Sequence, residues 1–138
     1  MKVPDKDPFE ASYRVTWADL DANGHMANSA YLDYATDTRF RHAGSRGFSP
    51  ADLRRLGIGP VIFEDRLTYR RELLFLDEFV VTHGYTSVDP QYRKFVVRNV
   101  FLRRGEPVAE VEAQGAWMDL ATRKVTPPPP EVIRAFSA

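Results

Sequence analysis

The chain has 138 residues, with 19 Lys or Arg against 19 Asp or Glu and no cysteine. That length suits one domain over residues 1–138, and zero formal net charge argues against a general nucleic-acid binder, which needs a basic excess. The missing cysteines remove disulfides, thiolate nucleophiles and Cys-based metal or iron–sulfur sites.

Residues 1–8 are polar and hold two prolines, with none of the apolar stretch a signal peptide requires. No apolar run approaches the ~18 residues of a membrane helix. The expectation is a soluble, cytoplasmic protein without a membrane partner. From Phe9 to Val15 apolar and polar residues alternate, as in a half-buried strand. Turn formers from Trp17 to His25 break that alternation. Asn28 or Ser29 can cap a helix from Ala30 to Ala43, because a short side-chain oxygen accepts a free backbone N–H. Tyr31, Leu32, Ala35 and Phe40 form its apolar side, Asp37 and Arg41 can pair, and Gly44 is placed to end it. Ser49-Pro50 opens a short helix through Leu56, ended by Gly57 and Gly59.

Strand patterns then run from Val61 to Tyr69, Phe79 to Val88, Tyr92 to Leu102 and Ala109 to Leu120. On the first of these, Glu64 and Arg66 share a face and read as a surface ion pair. Asp89-Pro90 and Arg104-Gly105 mark short turns, so the last three strands form an antiparallel meander. Leu73–Asp77 carries no clear turn chemistry. Pro127–Pro130, within a proline-rich tail over residues 126–138, must be extended, and Glu131–Phe136 can add a helical turn. One long helix and five antiparallel strands are most economically arranged as an α+β domain, the sheet curled around the helix. The other sheet face is then solvated or covered by another subunit.

The chemistry concentrates in Asp19-Leu-Asp-Ala-Asn-Gly-His-Met-Ala-Asn28. Asp19, Asp21, Asn23 and Gly24 match the start of an EF-hand calcium loop. The position that needs a bidentate Glu is Ala30, and a strand pattern precedes the loop where a helix belongs. No pair of histidines has metal-ligand spacing, and no nucleophile elbow, phosphate loop or dinucleotide fingerprint is present. The sequence suggests no metal or cofactor. His42 and His83 read as structural.

The pattern Trp17-x-Asp-x-Asp-x-x-Gly-His-x-x-Asn-x-x-Tyr31, followed by a helix containing Arg39, resembles the hotdog-fold acyl-CoA thioesterases. The resemblance is to their 4-hydroxybenzoyl-CoA thioesterase-like branch. Tyr69-x-x-Glu-Leu73 and Leu76-Asp-Glu-Phe79 extend it, and it covers about Tyr13 to Leu120. It implies a sheet wrapped around a central helix, in a homodimer or homotetramer, and an acyl-CoA or acyl-carrier thioester as substrate. Asp21 matches the catalytic carboxylate, as nucleophile or as general base for water. Asn28 falls where a backbone N–H at the helix start polarises the thioester carbonyl, and free N–H groups there suit an oxyanion. His25 lies beside this site, Gly24 permits close backbone approach, and Tyr31 lies at the substrate or in the core. Asp19 reads as a hydrogen-bonding loop residue. The rival is a non-catalytic module of the same fold that binds an acyl or aromatic ligand.

Charge is unevenly spread. Residues 91–105 hold Arg93, Lys94, Arg98, Arg103 and Arg104 with no acid. This stretch is either a solvated strand face or a docking patch for the CoA phosphates, with Arg103 and Arg104 as its candidate contacts. Strand alternation divides the five between two faces, so they cannot all reach one ligand.

Overall fold

The computed structural model describes residues 8–136. Most of the polar segment 1–8 therefore lies outside the described residues. Strand β1 (Phe9–Arg14) is followed by a 3₁₀ turn (Trp17–Asp19), helix α1 (Ala30–Ser45) and helix α2 (Pro50–Leu56). Then come β2 (Ile58–Tyr69), β3 (Glu78–Val88), β4 (Lys94–Arg103), β5 (Glu106–Asp119), β6 (Lys124–Val125) and helix α3 (Pro130–Phe136). The sheet order is β1-β3-β4-β5-β2, all antiparallel, with the two-residue β6 added beside β5. The expected meander is β3-β4-β5. Its second turn is tight because Arg104 and Gly105 both have positive φ, 51° and 76°, the pair a type I′ turn demands.

Alternation places Ala11 inside at β1 and Val15 inside just beyond its end, and Phe79 and Val81 inside at β3. These pack with Phe101, Val108 and Val111 of the meander against Tyr31 and Ala35 of α1. Each such fully buried large apolar side chain contributes about 1.5–3 kcal/mol. The buried positions of α1 include Tyr31, Ala35, Thr38 and His42, three and four apart, so one stripe faces the sheet. Leu32 and Phe40 are only partly buried. Thr38 belongs to that stripe because its hydroxyl bonds back to the Tyr34 carbonyl at 2.8 Å and needs no water.

Four local expectations change. Gly44 lies inside α1, which runs on to Ser45, and Gly47, at φ 79°, supplies the left-handed residue after it. Gly59 lies in β2, leaving Gly57 at φ 66° to end α2. Pro130 is the first residue of α3 rather than part of an extended run, a position where a missing N–H costs nothing. Glu64 lies 3.5 Å from the Gln114 amide across the sheet instead of pairing with Arg66. A register shift between Ile62 and Glu64 resets the alternation there.

α3 buries Val132, Ala135 and Phe136 against Phe40, Phe48 and Trp117, so the tail closes the second half of the core. The Leu73–Asp77 connection is built by side-chain capping. The Asp77 carboxylate accepts the Leu74 N–H at 2.8 Å, and Leu76 takes φ 68°. No helix among the described residues is long and apolar enough to cross a membrane.

Candidate active site

The loop between β1 and α1 is held from within. Asp21 Oδ1 accepts the Asn23 N–H at 2.8 Å and the His25 N–H at 3.4 Å, an Asx turn that keeps the carboxylate over its own backbone. The Asp21 N–H donates to the His25 carbonyl at 2.9 Å, and the Gly24 N–H to the Asp21 carbonyl at 3.1 Å. Gly24 is required by its φ of 79°, not by space, since nothing lies within 4 Å of a Cβ placed there. Asp21 Oδ2 faces His25 Nδ1 at 3.1 Å, with both side chains about one third exposed. Nδ1 also lies 3.3 Å from the Met26 carbonyl, and between two acceptors it acts as the donor.

Asp19 has a different fate. Its carboxylate accepts the Tyr34 hydroxyl at 2.5 Å and the Thr16 N–H at 2.9 Å, which locks the 3₁₀ turn to α1. It is the hydrogen-bonding loop residue expected. Burial, then Asp19, raises the Tyr34 pKa, so the phenol stays protonated as the donor. An EF-hand would need Asp19 and Asp21 to converge on one ion. Among the described residues no three His, Asp or Glu side chains do so.

The loop delivers the chain to α1 through two more backbone bonds. The Met26 N–H reaches the Leu73 carbonyl and the Ala27 N–H reaches the Asp19 carbonyl, both at 2.8 Å. Ser29 takes helical angles, φ −67° and ψ −27°, and makes no side-chain capping bond. The side-chain cap expected at Asn28 or Ser29 is therefore not made. Among the described residues the N–H groups of Asn28 and Ser29 have no acceptor, while the Ala30 N–H bonds to the Ala27 carbonyl. The start of α1 thus presents unpaired donors at its positive end. The Tyr69 hydroxyl donates to the Asn28 carbonyl at 3.2 Å and fixes this corner to the end of β2.

Tyr31 is 3% exposed and packs against Tyr69 and Phe101, with ring centroids 5.1 and 5.0 Å away. Within one chain it is a core residue. Burial, followed by Tyr69, pushes its pKa up to about 12, and the Asp21 charge adds to the rise. Trp17 is 77% exposed, its edge against Phe75 at 5.9 Å, and Leu74 and Leu76 beside them are also exposed. Apolar surface thus flanks the loop.

The basic stretch is less free than its sequence suggests. Arg93 pairs with Asp89 at 3.2 Å, Arg98 with Glu110, and Arg103 with Asp77 at 3.1 Å. The acids come from neighbouring strands and turns, so a local count of charge misses them. Arg103 also donates to the Glu72 carbonyl at 2.9 Å. Arg103 and Arg104 line an open groove of about 1130 Å³ together with Arg14.

The curled sheet around a helix is the hotdog fold, and solved structures share it closely. A hypothetical protein from Aquifex aeolicus is 22% identical, covering 94% of this chain and 100% of that one, with a TM-score of 0.86. A 1,4-dihydroxy-2-naphthoyl-CoA thioesterase from Synechocystis is 16% identical, covering 94% and 96%, with a TM-score of 0.84. A Staphylococcus aureus protein solved in complex with CoA is 23% identical, covering 98% and 85%, with a TM-score of 0.85. The thioesterase-like superfamily matches residues 15–136, nearly the whole chain. The chain belongs to that superfamily.

Sequence reasoning singled out Asp21, Gly24, His25 and Asn28 as candidates, and the fold gathers them on one loop and one helix start. It missed the positioning roles of Tyr34 and Tyr69. Both act across the fold, and only the tyrosine in the Tyr69-x-x-Glu-Leu73 pattern left a trace in sequence.

Proposed function

We propose that this protein hydrolyses an acyl-CoA or acyl-carrier thioester, with Asp21 as the reacting carboxylate. One observation carries the reading: a carboxylate about one third exposed, held by its own loop, precedes a helix start whose first N–H groups are unpaired among the described residues. As general base, Asp21 takes a proton from water while the water oxygen attacks the thioester carbonyl. As nucleophile, it forms an anhydride that water then opens. In both routes the carbonyl oxygen gains negative charge, and the Asn28 and Ser29 N–H groups stabilise it. The C–S bond breaks and the CoA sulfur leaves as a thiol after protonation. His25 donates to Asp21 and orients it, and Gly24 supplies the turn. Superfamily membership and the CoA complex of the Staphylococcus aureus relative support a CoA thioester as the substrate.

Arg104, which makes no ion pair among the described residues, is the candidate phosphate contact in the groove. Arg103 orders the groove wall through Asp77. Tyr31 serves the site by packing beneath the helix start. The test is release of free thiol from short, long and aromatic acyl-CoAs, followed with a thiol-reactive dye. The protein, lacking cysteine, adds no background. A ligand that co-purifies with a protein inert towards every thioester would favour the non-catalytic module.

A further inference from the structure

The two N–H groups left unpaired at the start of α1, those of Asn28 and Ser29, belong to consecutive peptide groups. Both peptides are trans. A trans peptide is planar, with its C=O and N–H pointing in opposite directions, so whatever holds the carbonyl also aims the N–H. The Asn28 N–H shares its peptide with the Ala27 carbonyl, which accepts the Ala30 N–H at 3.0 Å. That donor is aimed by the backbone of the turn. The Ser29 N–H shares its peptide with the Asn28 carbonyl, and there the partner is a side chain. The Tyr69 hydroxyl, from 41 residues along the chain, donates to that oxygen at 3.2 Å.

Tyr69 is well placed to hold the peptide still. It ends β2, opposite Ala109 of β5, and the Arg70 and Arg71 N–H groups after it both reach the Val108 carbonyl, at 2.8 and 3.1 Å. Its ring meets Tyr31 edge-on, with centroids 5.1 Å apart and planes at 77°. Tyr31 is buried two residues beyond Ser29, so the phenol is braced from the sheet and from the helix. Burial raises the Tyr69 pKa, which keeps the phenol protonated as a donor. A carbonyl that accepts a hydrogen bond also polarises its own peptide and strengthens the N–H opposite as a donor.

We propose that Tyr69 is a positioning residue for thioester hydrolysis, aiming the Ser29 N–H at the developing oxyanion through the Asn28–Ser29 peptide. This role rests on the thioesterase reading above. The hydroxyl lies on the carbonyl side of the peptide, opposite the donor, so it acts through Ser29 and not on the substrate. It also accounts for a tyrosine at this position: a phenyl ring would suffice to pack on Tyr31, and only the hydroxyl reaches Asn28.

Tyr69→Phe keeps the ring and removes the hydroxyl alone. Its kcat for thiol release should fall about tenfold, less than the ~10²–10³ lost when an oxyanion donor is removed outright, with KM and Tm unchanged. The peptide itself is read without turnover. Asn28–Ser29 is the one Asn–Ser pair in the chain, so carbonyl carbon-13 Asn and nitrogen-15 Ser together give a single correlated NMR resonance for this peptide. In the full-length Tyr69→Phe protein that resonance should move upfield in both dimensions. An unmoved resonance would overturn the proposal, and so would a fall in kcat accompanied by a lowered Tm, which would make the hydroxyl structural. Unchanged kcat in the variant beside an active wild type would overturn this role alone. No turnover of any thioester by wild type would overturn the thioesterase reading and this role with it.

Discussion

At the residue scale, the Asp21 carboxylate is divided between two tasks. Oδ1 shapes the loop through the Asn23 and His25 N–H groups, and Oδ2 faces the His25 ring. An Asp21→Asn side chain still offers an oxygen for the turn but loses the charge. Its kcat for thioester hydrolysis should fall by about 10²–10⁴ with little change in Tm. His25→Gln removes only the orienting partner, so its kcat should fall by about tenfold, within the lower reach of a positioning effect. Steady-state thiol release with both variants checks this order, and a larger loss in His25→Gln would make the imidazole the reacting group.

His83 sets a separate pH dependence. Its folded pKa is about 3, depressed by burial, against about 6.5 in the unfolded chain. Below 6.5 the unfolded state therefore binds a proton that the folded state refuses, and stability falls as pH drops. His42, lowered by burial and by Arg46, acts in the same direction. The urea midpoint should begin to fall between pH 6.5 and 5, before the carboxylates titrate. A flat profile over that window would contradict neutral, buried imidazoles. The candidate loop stood out in sequence because its pattern is local: Asp21, Gly24 and His25 lie within four residues of one another. The Tyr34–Asp19 and Tyr69–Asn28 bonds span 15 and 41 residues, and nothing in the local pattern announces them.

At the element scale, periodicity located both early helices and the strands of the meander, because each buries one face. Boundaries shifted where a side chain or a neighbouring element decides. α1 outran Gly44 because Gly47 takes the left-handed turn, and Pro130 joined α3 because an N-terminal helical position tolerates it. The β2 alternation broke where its register with β5 shifts, which no parity count along one strand reveals. Gly115 sits opposite that shift. A Cβ there would lie 2.4 Å from the Val61 carbonyl and 2.9 Å from the Phe95 ring. Both are embedded in the sheet, so Gly115→Ala should destabilise by about 1–3 kcal/mol, the usual range for overpacking. Chemical denaturation measures this. An unchanged midpoint would show that β2 and β5 yield at the bulge.

At the scale of the whole molecule, the sheet ends on two edges, β1 and β2. β2 is twelve residues long and leaves Ile62 and Phe63 37% and 58% exposed beside an open row of backbone groups. Long apolar edges are normally covered. A homodimer or homotetramer is therefore the expected state, and light scattering at micromolar concentration should give at least twice the mass of one chain. A monomer would contradict a subunit interface at this edge.

The proposed reaction is thioester hydrolysis by a loop carboxylate beside an open helix start. The most direct measurement is thiol release across a panel of aliphatic and aromatic acyl-CoAs, run in parallel with wild type and Asp21→Asn. Turnover of at least one thioester by wild type, reduced at least a hundredfold in the variant, is the predicted result. No turnover of any thioester by the folded wild-type protein, or equal turnover by both, would contradict it.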